Sequence, residues 1–217
     1  MMVVSRQGRR KAEMRMRSLR PDLDNTSVGS LYFFPTPRKR RCFFMKNLSV
    51  RELVLMAFYV ALFMVLDTFV NALPLFQMPN GGSLGISTIA LLMASYQLGW
   101  KKGLVVSILS VFAQFVTGPM YTPNLLGFLL DYFIGFSVYG LACLFPNFGY
   151  FYSGVLVTNL IRFVSSTISG IVCWETPLWA SITYNASYML PTLILGLVLV
   201  PLLYKALEPV LKKTLKA

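Results

Sequence analysis

From residue 50 onward the chain alternates between long apolar runs and short polar interruptions. Six runs reach or approach the roughly 20 residues that a helix needs to cross a bilayer. They lie at about 50–73, 84–99, 103–118, 124–145, 149–173 and 182–205. Lys46 and Arg51 flank the first run, Lys101 and Lys102 separate the second from the third, and Lys205, Lys212, Lys213 and Lys216 close the last. The intervening segments 74–83, 119–123 and 174–181 contain no Lys or Arg, and 146–148 is uncharged. Because basic residues gather on the cytoplasmic side, this alternation predicts an all-α integral membrane protein. Six transmembrane helices are expected, with the N- and C-termini both cytoplasmic. Helices 2 and 3 are short for a full crossing, so one of them is expected to tilt or to span incompletely.

Composition agrees with that reading. The chain is 56% hydrophobic and 13% charged, with mean hydropathy +0.63, which is a membrane composition. Three cysteines are too few for a disulfide framework, and the absence of histidine rules out His-based triads and His metal sites. The net charge of +12 does not argue for nucleic acid. Residues 1–44 carry 11 Lys or Arg against 3 Asp or Glu, so most of the excess sits in an N-terminal tail. That tail lacks the apolar stretch of a secretory signal.

Candidate chemistry is confined to the few polar groups in or beside the spans: Asp67, Asp131, Arg162 and Glu175, with Asn71, Asn159 and Asn185. A carboxylate inside a membrane helix must face a partner or a cavity. Asp131, in the fourth run, is therefore the leading candidate. Pairing of Arg162 with Asp67 or Asp131 would be a purely structural use of these charges. The aromatic residues Tyr132, Trp174, Trp179, Tyr184 and Tyr188 have two readings. Singly, each fits the interfacial belt of any membrane protein; together with a carboxylate, they suit a flat cationic ring through stacking and cation–π attraction. Ala57 and Ala61 form a small-xxx-small pair on helix 1, which from spacing alone reads as ordinary helix packing.

Pro79-Asn-Gly-Gly-Ser83, Leu129-Leu-Asp-Tyr132, Ser169-Gly170 with Trp174, and Tyr184-Asn-Ala-Ser-Tyr-Met-Leu-Pro191 carry a more specific signal. Over essentially all of residues 45–217 the chain resembles the thiamin-specific substrate-binding subunit of energy-coupling factor transporters. The resemblance implies a multi-pass protein of the cell membrane, in a Gram-positive-type bacterium, with a high-affinity thiamin pocket near its extracellular side. It also implies partners: a transmembrane scaffold subunit and two ATPase subunits, which hydrolyse the ATP, with membrane lipid around them and no nucleic acid. No cofactor or catalytic residue is expected, and the subunit itself is not an enzyme. Asp131 and Tyr132 then match the family's ligand-contacting acidic–Tyr pair, Trp174 a stacking aromatic and Asn185 a polar contact. Tyr184, Ser166 and Trp179 complete the expected substrate site. Ala57 and Ala61 match the small-residue face that meets the scaffold subunit.

Three positions depart from the family pattern. Ser166 stands where a pocket histidine is usual, Ala180 where a tyrosine is usual, and Phe76 is the nearest aromatic to a loop tryptophan. Fewer ring contacts weaken thiamin binding or reshape the pocket for its pyrimidine or thiazole precursor. Two alternatives of other classes are an intramembrane enzyme using Asp67 and Asp131, and a self-sufficient proton-coupled carrier. Such carriers usually show two related halves, and none is evident.

Residues 1–44 have their own reading. Pro21–Gly29 and Ala12–Met14 can be back-translated to the conserved elements of a thiamin pyrophosphate riboswitch. Arg40–Phe44 permits a ribosome-binding site just before Met45. These residues are expected to be a translated leader ahead of the initiator Met45, followed by the six-helix substrate-binding domain 45–217. The genomic codons decide it.

Overall fold

The computed structural model describes residues 48–73, 78, 81–117 and 120–216, with side chains as far as residue 209 apart from Thr117. The expectations for residues 1–44 and for Phe76 lie outside the described residues. Everything described belongs to one compact unit, Met45–Ala217.

Six helical segments follow in chain order among the described residues: α1 Val50–Ala72, α2 Thr88–Leu98, α3 Trp100–Thr117, α4 Leu125–Leu144, α5 Ser153–Val172 and α6 Leu178–Lys216. Four of them, α1, α4, α5 and the Leu178–Pro209 part of α6, are long and apolar enough to cross a membrane. The 11 residues of α2 span only about 16 Å, half of a bilayer's hydrocarbon core.

Apolar residues surround these helices rather than forming one stripe. Phe58, Val65 and Phe69 of α1, Phe112, Phe115 and Val116 of α3, and Ile194, Val198 and Leu202 of α6 all face outward. Inside, Phe63, Leu91, Leu92, Val106, Val111, Tyr139, Ala142, Val155 and Val200 form a fully buried cluster. With apolar side chains on both sides, burial alone cannot orient a helix in lipid, and close packing between small residues does it instead. At Gly140 of α4 an added Cβ would lie 2.5 Å from the Leu104 Cα, and at Gly103 of α3 it would lie 2.7 Å from the Ser95 Cα. Ser95 seals the same crossing: its hydroxyl donates to the Gly140 carbonyl at 2.7 Å and accepts the Cys143 N–H at 3.1 Å. Glu52 and Lys102 form an ion pair that ties the start of α1 to the start of α3.

Several boundaries differ from the hydropathic expectation. Residues 84–87 make turns before α2, whose first residue is Thr88. The break between α2 and α3 is Gly99 alone, at φ +88, a conformation glycine adopts without steric cost. The start expected for helix 5 at 149 is instead a tight hairpin, β1 Asn147–Phe148 paired antiparallel with β2 Phe151–Tyr152. Tyr152 then joins Tyr96 and Tyr204 in an edge-to-face cluster. Helix α6 continues past Pro191, Pro201 and Pro209. Thr192 supplies one of the hydrogen bonds beside its first proline, donating to the Tyr188 carbonyl at 2.7 Å and accepting the Gly85 N–H at 2.9 Å.

The largest departure is in α4, expected as one regular helix. It is α-helical at Leu125–Gly127, widens to a π-helix over Phe128–Ile134, returns to α at Gly135–Ser137 and tightens to 3₁₀ over Val138–Leu144. The wide turn faces a cavity and the tight one lies in the packed core.

Candidate ligand-binding cavity

Asn124 starts α4 by accepting the Gly127 N–H on its side chain at 2.7 Å, a standard N-cap. Four residues later the helix widens, and Asp131 sits mid-way through the wide turn. π-Helical turns are frequent at functional sites because the extra residue redirects side chains and frees backbone groups. Here α5 stabilises the turn: the Ser165 hydroxyl donates to the Leu130 carbonyl at 2.7 Å. One turn along α5, the Ser169 hydroxyl donates to Asp131 Oδ2 at 2.5 Å. Tyr132 stacks between Phe128 and Phe136, with centroids 6.0 and 6.3 Å away, and its hydroxyl accepts the Tyr121 N–H at 3.0 Å.

The first turns of α6 provide a second wall. Ser181 donates to the Thr167 carbonyl of α5 at 3.0 Å, and Asn185 Nδ2 donates to the Ser181 carbonyl at 3.0 Å. Tyr188 in turn donates to Asn185 Oδ1 at 2.7 Å. This chain of bonds holds both side chains in fixed orientations. Tyr184 packs edge-on against Tyr188, and its hydroxyl accepts the Gly82 N–H at 3.1 Å. The segment around Gly81 and Gly82 therefore rests directly on aromatic rings. Gly81 has φ +88, and a Cβ there would overlap the Tyr121 ring, so both backbone conformation and space require glycine.

These walls enclose a cavity of about 620 Å³, a size suited to a small molecule. Of the substrate-site residues expected from sequence, Asp131, Tyr132, Ser166, Trp174, Tyr184 and Asn185 all line it. Trp179 does not: it is 77% exposed and points away, as belongs to an interfacial aromatic. Glu175 is also outside the lining, and holds a left-handed backbone conformation (φ 53) just after Trp174. Ala57 and Ala61 lie on the exposed face of α1, so neither packs within the described bundle.

Neither ion pair considered from sequence forms. Among the described residues, Arg162 has no carboxylate within 4.0 Å. Its guanidinium lies instead over the Phe136 ring at 4.2 Å and near the Tyr139 ring at 5.8 Å, with Nε buried and without a hydrogen-bond partner. Arg162 nevertheless lines the cavity, as do Asp67, Asn71, Gln114, Tyr121 and Tyr188. Of these six, the sequence offers Tyr188 among the aromatics suited to a flat cationic ring; it does not assign the other five to the substrate site. Intramembrane charge was an adequate signal for Asp67 and Arg162, but a helix sequence does not say which interior group faces empty space.

Fold and cavity define a helical protein with four membrane-length apolar helices and, between its helices, a cavity of a size to take a small molecule. Residues 53–212 match the family described as Thiamine transporter protein (Thia_YuaJ), and the chain belongs to that family. The thiamine transporter ThiT of Bacillus subtilis (strain 168) is 29% identical over 157 residues, covering 63% of this chain and 82% of that protein. The chain is thus a transport protein of the membrane rather than an enzyme.

Proposed function

We propose that this protein is the thiamin-binding subunit of an ATP-driven energy-coupling factor transporter. The observation that carries the proposal is the convergence of Asp131, Tyr132, Ser166, Trp174, Tyr184 and Asn185 on one cavity in a chain of this family. Thiamin is a flat organic cation with a hydrogen-bonding pyrimidine. Trp174 stacks on a ring, Asp131 provides charge held in place by Ser169, and Asn185 and Tyr184 provide directional hydrogen bonds. All six helices cross or enter the membrane, with both termini cytoplasmic. The absence of Lys and Arg from 119–123 and 174–181, segments that contribute Met120, Tyr121, Trp174 and Thr176 to the cavity lining, supports an outward-facing site.

Energy comes from partners, two ATPase subunits acting through a scaffold subunit. The scaffold docks on the exposed α1 face around Ala57 and Ala61, where small residues permit close approach. Ser166 and Ala180 both line the cavity, where bulkier rings would narrow it. With fewer ring contacts available there than the family pattern provides, a second reading is a precursor of thiamin as ligand.

Calorimetric titration of the purified protein with thiamin, its pyrimidine and its thiazole tests both readings. Thiamin is expected to bind most tightly, and Asp131→Asn to weaken it about tenfold or more. Tighter binding of a fragment would select the precursor reading, and unchanged affinity in Asp131→Asn would refute the site. Uptake that continues in cells lacking the ATPase subunits would refute the coupling.

A further inference from the structure

The hairpin between α4 and α5 takes no part in the cavity lining. Helices α4 and α5 have 20 residues each, about 30 Å, which matches the hydrocarbon thickness of a bilayer. The hairpin that joins them, β1 and β2 around Gly149 at φ +62, therefore stands at one edge of the membrane. Residues 145–152 hold five aromatics and no charge. Tyr152 turns inward, 4% exposed, and packs against Tyr96 at 4.9 Å and Tyr204 at 5.8 Å. The Ser153 hydroxyl donates to the Pro146 carbonyl and closes the base of the turn. From this fixed root the turn presents Phe148, Tyr150 and Phe151 outward, at 60%, 72% and 44% exposure.

Basic side chains gather at the same end of the bundle. Lys205 of α6 places its ammonium over the Tyr150 ring, 3.0 Å from the centroid. Trp100, which closely follows Tyr96 in the chain, is 40% exposed and has the Lys101 ammonium 5.4 Å from its ring centroid. Lys102 pairs with Glu52 at the start of α1. The segments 119–123 and 174–181, at the opposite end, contain no Lys or Arg. A contiguous aromatic face is costly in water and marks a surface that something covers. Aromatic rings flanked by basic side chains suit the headgroup boundary, where the rings rest among the upper acyl chains and the ammonium reaches a phosphate. Anionic lipids are concentrated in the leaflet on the side where basic residues gather. Polarity and charge thus point to one occupant, a phospholipid surface.

We propose that the Asn147–Tyr152 hairpin is a lipid-docking element. Phe148, Tyr150 and Phe151 lie at the boundary between headgroups and acyl chains, and Lys205, seated on the Tyr150 ring, holds the headgroup of an anionic phospholipid. A rigid turn suits this task, because its rings are already presented and little side-chain order is lost on docking. The inference rests on α4 and α5 crossing the membrane and is independent of which ligand fills the cavity.

Two measurements on the full chain in lipid nanodiscs test it. Phe148→Trp exchanges one exposed aromatic for another, and the emission of the added indole is read as the difference from wild type. Phosphatidylcholine brominated near the headgroup is expected to quench that emission more than lipid brominated near the chain end, and more than aqueous acrylamide. Stronger quenching by acrylamide would overturn the docking, leaving the hairpin in water as a surface for a protein partner. The second measurement is thermal unfolding in phosphatidylcholine and in phosphatidylglycerol. The anionic lipid is expected to raise the midpoint of wild type by about 2–4 °C more than that of Lys205→Gln. Loss of the contact with Tyr150 alone would lower Lys205→Gln equally in both lipids. Equal lipid-dependent shifts in the two proteins would therefore overturn the headgroup assignment.

Discussion

Helix α4 has two ends built from similar apolar residues, and they do opposite things. At one end Phe128–Ile134 widens into a π-turn and borders the cavity; at the other Val138–Leu144 tightens into 3₁₀ and disappears into the core. The difference lies in the neighbours. The tight end meets Gly103, where the two backbones come into contact, and Ser95, whose hydroxyl binds the Gly140 carbonyl. The wide end meets hydroxyls of α5, and Ser165 and Ser169 supply hydrogen bonds to a carbonyl and a carboxylate. In lipid, where apolar contact hardly distinguishes inside from outside, glycines let helices close together and hydroxyls tie neighbouring helices at either end. A binding cavity needs both within one helix.

The contrast can be broken most severely at the tight end. Gly140→Ala is expected to cost about 3 kcal/mol, because its methyl would strike backbone atoms of α3 that cannot rotate away. Thermal unfolding in detergent reads that loss, while the folded fraction should keep its ligand affinity. At the wide end the ranking reverses: Trp174→Ala should leave unfolding nearly unchanged and weaken thiamin by about 2 kcal/mol, roughly thirtyfold, through lost stacking and area. Calorimetry beside a melting curve would show whether the two effects separate in this way. Tyr184→Phe removes the acceptor for the Gly82 N–H and should cost about 1 kcal/mol. Stopped-flow fluorescence would show it as ligand release about fivefold faster, if the segment resting on Tyr184 covers the cavity. Trp179→Ala should change neither property by more than about 0.5 kcal/mol, as its ring faces outward. A larger effect on binding would place Trp179 in the site after all.

Much of this could be read before any coordinates. The apolar runs located the helix starts to within about four residues, because a bilayer demands a length and a hydropathy that few other structures need, although the last helix runs on to Lys216 instead of ending near 205. Glycine and turn residues moved the boundaries: Gly99 joined α2 directly to α3, and the 147–152 hairpin displaced the first turn expected for α5. Motif residues Asp131, Tyr132, Trp174, Tyr184 and Asn185 share one cavity, in keeping with the need of an intramembrane carboxylate for a partner. Trp179 shows the limit of that reasoning. Five residues after Trp174 and of the same type, it faces the opposite way, since the turn at Cys173–Pro177 intervenes before α6 begins.

By itself the sequence determined the helical membrane class, the asymmetry of basic residues and the list of charges that needed an explanation. Those follow from transfer energies and electrostatic costs, which act on each segment separately. Only the tertiary structure decided that Asp67 joins Asp131 in one space, that Arg162 lies over Phe136 instead of pairing with either, and that α4 widens where it borders the cavity. These depend on which faces of different helices meet. That choice is made by close contacts such as Gly103 with Gly140 and by hydroxyls such as Ser165, and neither signal is visible within one segment.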